Sequence, residues 1–466
     1  MMFEKKVYVG RRAELKKKLS EGIVMIPGNV ESSYNYPDNQ YRWRQDSNFS
    51  YFFGINLPGM IGIMDLDNDK DILFGTDFTV DDIIWMGSQP TLKENASKVG
   101  IKDVRDYALL QEYLLDAIHH GRKIHFMPLY RGEQKLEMSR LLGIKPSIIN
   151  EYASTALSDA VISLREIKSE EEIEEIEKAE ETAYLMHTTA MKMAKSGVYE
   201  YEIAGRIEGI ALSRNGYISF PVILSINGQT LHNHSHANKL RKGRMLVVDA
   251  GAETDTYYAS DITRSIPVDG KFDSRQKDIY QAVLAAQLKG IELVKPGSSN
   301  TDNHIAAVTV LLDCLKDIGL VKGNTHDAVM NGVGAFFMPH GLGHQMGMDV
   351  HDMEGLGENR VGYDSRHKRS TIAGISSLRM GKQLKVGHVF TVEPGCYFIP
   401  AWFDKWKAEN RCAEFINYDK VATYLDFGGI RIEDDVLVVK GGHRVLGRRP
   451  IPKTIDEVEE CCGQKM

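Results

Sequence analysis

The chain has 466 residues, 42% hydrophobic and 26% charged, the balance of an ordinary globular protein with room for two or three domains. Its formal net charge of −7 argues against nucleic acid or an anionic membrane as the main partner. Five cysteines, odd in number and without a CxxC pair, exclude a disulfide frame or zinc knot and point to reduced thiols in a cytoplasmic protein.

The opening MMFEKKVYVGRR lacks the apolar core of a signal peptide. No apolar run approaches the roughly 18 residues of a membrane span. The basic residues Lys5, Lys6, Arg11, Arg12, Lys16, Lys17 and Lys18 are expected on a solvated helix face. To about residue 160, short strands (IGIMDL, DILFG, KIHFMPL) alternate with helical stretches such as 107–119. This reads as an α/β domain with no catalytic constellation of its own. In REIKSEEEIEEIEKAEE (165–181), Ser169 and Glu172 fit a capping box, with Ile173, Ile176 and Ala179 at helical spacing behind it. A domain boundary before this helix gives domains 1–165 and 166–466.

From there helices 170–195 and 200–213 are followed by strands through 217–266. Helices 274–293 (stopped by Pro296-Gly297) and 302–318 are followed by strands through about 385–440. Helix, helix, then hairpin, given twice, predicts two similar halves with a site at their junction, although no repeat is visible residue by residue. Four apolar strand patterns in these halves carry acids: Asp249 in MLVVDAG, Asp261 in TYYASDITRS, Glu393 in FTVEPG and Glu433 in GGIRIEDDVLVV. Asp249 and Asp261 are an even number of residues apart, so a hairpin would put both on one face. A carboxylate in an apolar strand is costly unless paired or metal-bound. Converging carboxylates repel, and a cation is the natural remedy. Four carboxylates and one imidazole would suit two divalent ions; oxygen-rich ligation favours Mn2+, with Co2+ and Zn2+ compatible. HGLGHQMGMDVHD (340–352) supplies His340, His344 and His351 among glycines. Alone it reads equally as a metal site, a proton relay or a glycine-rich turn.

In order, DAG (249–251), SDITR (260–264), HGLGH (340–344), TVEPG (391–395) and GGIRIEDD (428–435) resemble the proline-specific pita-bread metallopeptidases, the aminopeptidase P and prolidase group of family M24B. YRWRQDSNFSYFFGI (41–55) is similar to the start of that group's N-terminal domain. The resemblance implies an α/β (α+β) chain: an N-terminal creatinase/aminopeptidase P-like α/β domain, then a C-terminal pita-bread catalytic domain of pseudo-twofold αβ halves around a dinuclear site. It assigns the metal ligands Asp249, Asp261, His344, Glu393 and Glu433, none of them substituted. His232, in TLHNHSHANK, corresponds to a substrate-contacting histidine and His351 to a second active-site histidine. Arg431 corresponds to an arginine that hydrogen-bonds around the site. Arg379, in ISSLRMG, is similar to the arginine with which prolidases hold a dipeptide's carboxylate. His340 is expected to support the loop or line the pocket. His234 and His236 would share a strand face with His232 and are expected as exposed polar residues near a loop.

The implied chemistry is hydrolysis of the Xaa-Pro bond at the N-terminus of peptides by a hydroxide bridging two metals, which needs no substrate N–H. Glu393 would move the water's proton to the leaving nitrogen. His232 and His351 would hydrogen-bond substrate. The N-terminal motif favours Xaa-Pro aminopeptidase. ISSLR, IPKTIDEVEE and the insert YFIPAWFDKWKAENRCAEF (397–415) favour Xaa-Pro dipeptidase. That insert could cap the cleft or serve an oligomer contact. A homo-oligomer, dimer or tetramer, is expected. Non-catalytic pita-bread binding modules and metal-free creatinase-like enzymes share the fold but typically lack the full ligand set.

Overall fold

The computed structural model describes residues 3–233 and 235–465. Contacts divide the chain into two units, one of residues up to Arg165 with Met353–Gly357, the other of Glu166–Asp352 with the residues from Glu358 onward. The first unit is built on a five-stranded mixed sheet in the order Asp103–Asp106, Lys70–Gly75, Ile61–Asp65, Ile23–Pro27, Ile124–His125. The inner strands pair antiparallel and the two edge strands join parallel. The strand Ile23–Pro27 is almost wholly buried, as its unbroken apolar run requires of an inner strand.

Two of the basic residues expected on a solvated face are inside this unit. Arg12 is 0% exposed and Arg11 is buried as well. Arg12 donates to Asp71 Oδ2 at 2.8 Å and to the carbonyls of Phe52 and Val99, each at 2.8 Å. Arg11 donates to the Tyr51 carbonyl and lies over that residue's ring. A guanidinium can be buried when its fork of donors is matched this fully, and a count of basic residues does not reveal the acceptors.

The second unit opens with helix Glu170–Met193, whose Ser169–Glu172 capping box is formed. It pairs with helix Glu200–Ser213, and helix Ser274–Glu292 pairs with Asn300–Asp317. The doubled order extends to single residues, contrary to the sequence reading. After the first helix of each pair, the N–H of Gly197 donates to the Leu240 carbonyl and that of Gly297 to the Leu384 carbonyl. Leu240 and Leu384 return the bond to Val198 and Ser298. From these leucines the chain runs LRKGRMLVVDAG (240–251) in one half and LKVGHVFTVEPG (384–395) in the other. Each segment turns at a glycine with positive φ, Gly243 at 79° and Gly387 at 92°, a conformation glycine adopts without strain. Each then enters a buried strand, Met245–Ala250 or Val389–Val392. Asp249 and Glu393 occupy equivalent places. The halves hide their kinship because so few positions coincide between the two segments: the leucine, the two glycines, the valine before the acid and the acid itself.

Met245–Ala250 lies between Ile223–Ser225 and Ile262–Pro267 in one antiparallel sheet, and Asp434–Val439 lies between Val389–Val392 and Gly442–Val445 in the other. The pattern read as one strand over 428–439 is two, Gly429–Arg431 and Asp434–Val439. The cause is Pro394 on the facing strand, which has no N–H for the ladder. At that point the partner changes from Gly395–Tyr397 to Val389–Val392, and Glu433 turns its own N–H to the Thr263 carbonyl. The insert forms helix Pro400–Ala408. Trp406 is buried at 5.2 Å from the Phe336 ring, and Trp402 Nε1 donates to the Ala335 carbonyl. Among the described residues, no helix is long and apolar enough to cross a membrane.

Candidate metal centre

All ten residues singled out in the sequence line one cavity of about 470 Å³ in the second unit: His232, Asp249, Asp261, His340, His344, His351, Arg379, Glu393, Arg431 and Glu433. Phe220, Pro221, Ile223, Leu231, Pro339 and Val350 give it an apolar wall. No residue of the insert, 397–415, is in this lining, and the helix there packs into the core and does not cap the cavity.

Register places the acids. Thr263 lies directly opposite Asp249, and Asp261, two residues earlier, shares its face. Val392 lies opposite Asp434, so Glu393 and Glu433 follow and precede paired residues. The Asp261 N–H donates to Asp435 Oδ2 at 2.9 Å. Ligand atoms of Asp261, His344 and Glu433 all come within 4.8 Å of one another. His344 Nε2 is 3.3 Å from Asp261 Oδ2 and 3.8 Å from Glu393 Oε1. Arg431 donates Nη2 to Asp249 Oδ2, Nε to Thr263 Oγ1 at 3.0 Å and Nη1 to the Tyr397 hydroxyl at 2.9 Å.

This geometry fits divalent cations. The second oxygen of Asp249, Oδ1, is buried without a hydrogen-bond partner. His344 Nδ1 lies 3.1 Å from the Gln345 carbonyl, which fixes the proton on that nitrogen in the neutral ring. Nε2 then aims a lone pair at two carboxylates, an arrangement that a cation between them resolves. Burial and the neighbouring Asp249 hold the Asp261 carboxyl well above the usual range. Burial, Asp261 and Glu393 do the same for Glu433. Glu393 is raised to about 7, chiefly by burial. Carboxylates with one imidazole make a donor set for a hard or borderline divalent ion.

Gly343 precedes His344 because no other residue fits there: a β-carbon would lie 1.8 Å from the Thr391 carbonyl oxygen. The Thr391 N–H in turn donates to the His344 carbonyl at 3.0 Å. The His351 ring packs 4.1 Å from that of His344. His340 Nδ1 faces the Gly341 carbonyl at 2.8 Å, so Nε2 accepts from the Tyr397 hydroxyl at 2.9 Å. Burial and Arg431 push this imidazole down to about 3, which keeps it neutral. His232 is exposed in the cavity, its imidazole lowered by partial burial and by Arg431. Arg379 Nη1 donates to Glu358 Oε2 at 3.0 Å.

His232 lies in a turn, and His236 in a loop, so the strand face expected to carry them does not exist. His236 is half-buried with Nδ1 on the Leu224 carbonyl, away from the cavity lining. His234 lies outside the described residues. Two residues of the network were not singled out. Thr263 bridges Arg431 and Glu433, donating to Glu433 Oε2 at 2.7 Å, and the hairpin register opposite Asp249 could have revealed it. Tyr397 joins His340 to Arg431 through tertiary structure alone, and nothing in its local sequence signals this.

The sequence pattern of Metallopeptidase family M24 matches residues 174–440. That stretch is more than half of the chain and contains every residue of the cavity. The chain belongs to metallopeptidase family M24. As a member of this family it is an enzyme with a divalent-metal centre, and residues 8–125 match the pattern of the aminopeptidase P N-terminal domain. It is 32% identical to human Xaa-Pro dipeptidase over 455 residues, covering 94% of this chain and 88% of that protein. It is also 32% identical to a probable Xaa-Pro aminopeptidase of Botryotinia fuckeliana, covering 95% of this chain and 84% of that one. The solved Pseudomonas aeruginosa aminopeptidase PepP has the same fold, with a TM-score of 0.81 at 26% identity over 99% of this chain and 98% of that one.

Proposed function

We propose that this M24 enzyme cleaves the Xaa-Pro bond at the N-terminus of peptides, as a Xaa-Pro aminopeptidase. One observation carries the reading: five ligand-type residues, three further histidines and two arginines converge on one cavity beside an apolar wall suited to proline. Asp249, Asp261, His344, Glu393 and Glu433 would hold two divalent ions, Mn2+ ahead of Co2+ and Zn2+. When bound, such ions lower the pKa of water and polarise a carbonyl.

The chain's own residues do the rest. The bond before proline is a tertiary amide, so its nitrogen offers no N–H to bind and must gain a proton as it leaves. Glu393 takes a proton from the attacking water and delivers it there. His351 and His232 donate to the carbonyl oxygen as charge builds on it. Arg431, held by Asp249, Thr263 and Tyr397, fixes the Asp249 carboxylate. His340 anchors the Tyr397 hydroxyl.

The second reading, Xaa-Pro dipeptidase, is favoured by Arg379, which lines the cavity and could take a dipeptide's carboxylate by a bidentate fork in place of its bond to Glu358. Xaa-Pro and Xaa-Pro-Yaa offered separately, with release of Xaa measured, separate the two. Release from both is expected; release from the dipeptide alone would replace the first reading by the second.

The five free cysteines support a cytoplasmic setting. Helix Val80–Met86 buries none of its residues and leaves Trp85 88% exposed beside Val80 and Ile84. Exposed apolar groups of this kind support a homo-oligomer, dimer or tetramer. Trp85→Glu is expected to lower the sedimentation coefficient, and a wild-type protein that sediments as a monomer would end this part of the proposal.

A further inference from the structure

Beside the ligand loop lies an ion pair that the proposed chemistry does not use. Lys168 Nζ is 2.7 Å from Asp352 Oδ2, and both side chains are 1% exposed. Asp352 directly follows His351. Its N–H donates to the Gln345 carbonyl at 2.9 Å, the same oxygen that His344 Nδ1 faces. Its Oδ1 accepts from the Asp349 N–H at 3.3 Å. The loop is closed around the pair: a β-carbon on Gly347 would lie 2.5 Å from Asp352 Oδ2 and 2.8 Å from Lys168 Cε. Lys168 is itself fixed, its N–H donating to the Gly387 carbonyl at 2.9 Å. Gly387 is the turn that feeds the strand Val389–Val392, which Glu393 directly follows. The pair therefore ties the backbone beside His351 to the backbone that leads to Glu393.

We propose that the Lys168–Asp352 pair is a positioning device for His351. It holds that imidazole against His344, 4.1 Å away, at the place where a substrate carbonyl oxygen is stabilised. This rests on the substrate role given to His351 above. A buried ion pair is seldom the best way to add stability, since apolar side chains of similar volume usually do as well. Its use lies in direction: the ammonium accepts one placement of the carboxylate, and that carboxylate terminates the loop. Errors of an ångström in the position of a reacting or stabilising group are enough to slow catalysis by about a hundredfold.

The test is a double-mutant cycle on a Xaa-Pro peptide with the metal-loaded protein. Asp352→Asn preserves volume and the acceptor for the Asp349 N–H, and is expected to lower kcat about tenfold or more with little change in KM. In a His351→Ala background the same change is expected to cost less than about twofold, because the residue it positions is gone. Equal losses in both backgrounds would show a merely structural role and overturn the proposal. Asp352→Asn leaves Lys168 buried without its counter-ion, so Lys168→Met combined with Asp352→Leu is measured beside it. Regained melting temperature with the kcat loss retained supports positioning; regained melting temperature with wild-type kcat overturns it. A wild-type protein inactive on Xaa-Pro peptides would bring down the functional reading and this inference together, whereas an active wild type with additive losses brings down the inference alone.

Discussion

Glu393→Gln is expected to lower kcat by about three orders of magnitude while leaving the protein folded. The amide keeps the size of the carboxyl and can still place one oxygen towards the cavity. It cannot take a proton from water at neutral pH, and it brings one negative charge fewer to the metals. Folding should not suffer. Burial, Asp261 and Asp249 all push the Glu393 carboxyl up, so in the metal-free protein its charge is a burden and the variant should melt at the same temperature or higher. Loss of activity without loss of stability separates this residue from one that maintains structure. The measurements are kcat on a Xaa-Pro peptide, the melting temperature and the bound metal per chain. A variant with full metal content and near-wild-type kcat would remove Glu393 from proton transfer and leave it a ligand only.

Much of this site was legible because its parts are local. An apolar strand ending in an acid, as in MLVVDAG or FTVEPG, announces itself wherever it occurs, and an acid set in an apolar strand pattern, as Asp261 and Glu433 are, does so nearly as well; all four acids line one cavity. The glycines of HGLGH are visible in the sequence, but the reason for Gly343, the close approach of the Thr391 carbonyl, is not. What the chain hides is non-local. Tyr397 acquires its place only because the strand Gly395–Tyr397 brings its hydroxyl to both His340 and Arg431. Arg12 reads as a surface cation until Asp71, Phe52 and Val99 are brought to it from far along the chain. The break at Glu433 follows from a proline on the opposite strand, and a pattern read along one strand cannot register it. The insert misleads for another reason: its aromatic residues fit a lid as well as a core, and only the packing of Trp406 against Phe336 decides between them.

Removal of divalent cations by a chelator is expected to abolish activity and lower the melting temperature, and Mn2+ should restore both. The electrostatics demand it. Asp249, Asp261, Glu393 and Glu433 crowd around the Arg431 guanidinium, and that cation is already committed to Asp249, Thr263 and Tyr397. A ligand that binds only the folded state adds about 2.7 kcal/mol when present at a hundred times its Kd, so the melting temperature should climb with added Mn2+ until the site is filled. Full activity in a sample shown by elemental analysis to be metal-free would be incompatible with the mechanism. The stoichiometry reads out a further point. The trio Asp261, His344 and Glu433 is compact enough to hold one ion, and Asp249 stands outside it with Oδ1 buried and unpartnered. Two equivalents per chain would give that oxygen its partner. One equivalent would leave Asp249 serving Arg431 alone, and Asp249→Asn would then cost little metal affinity.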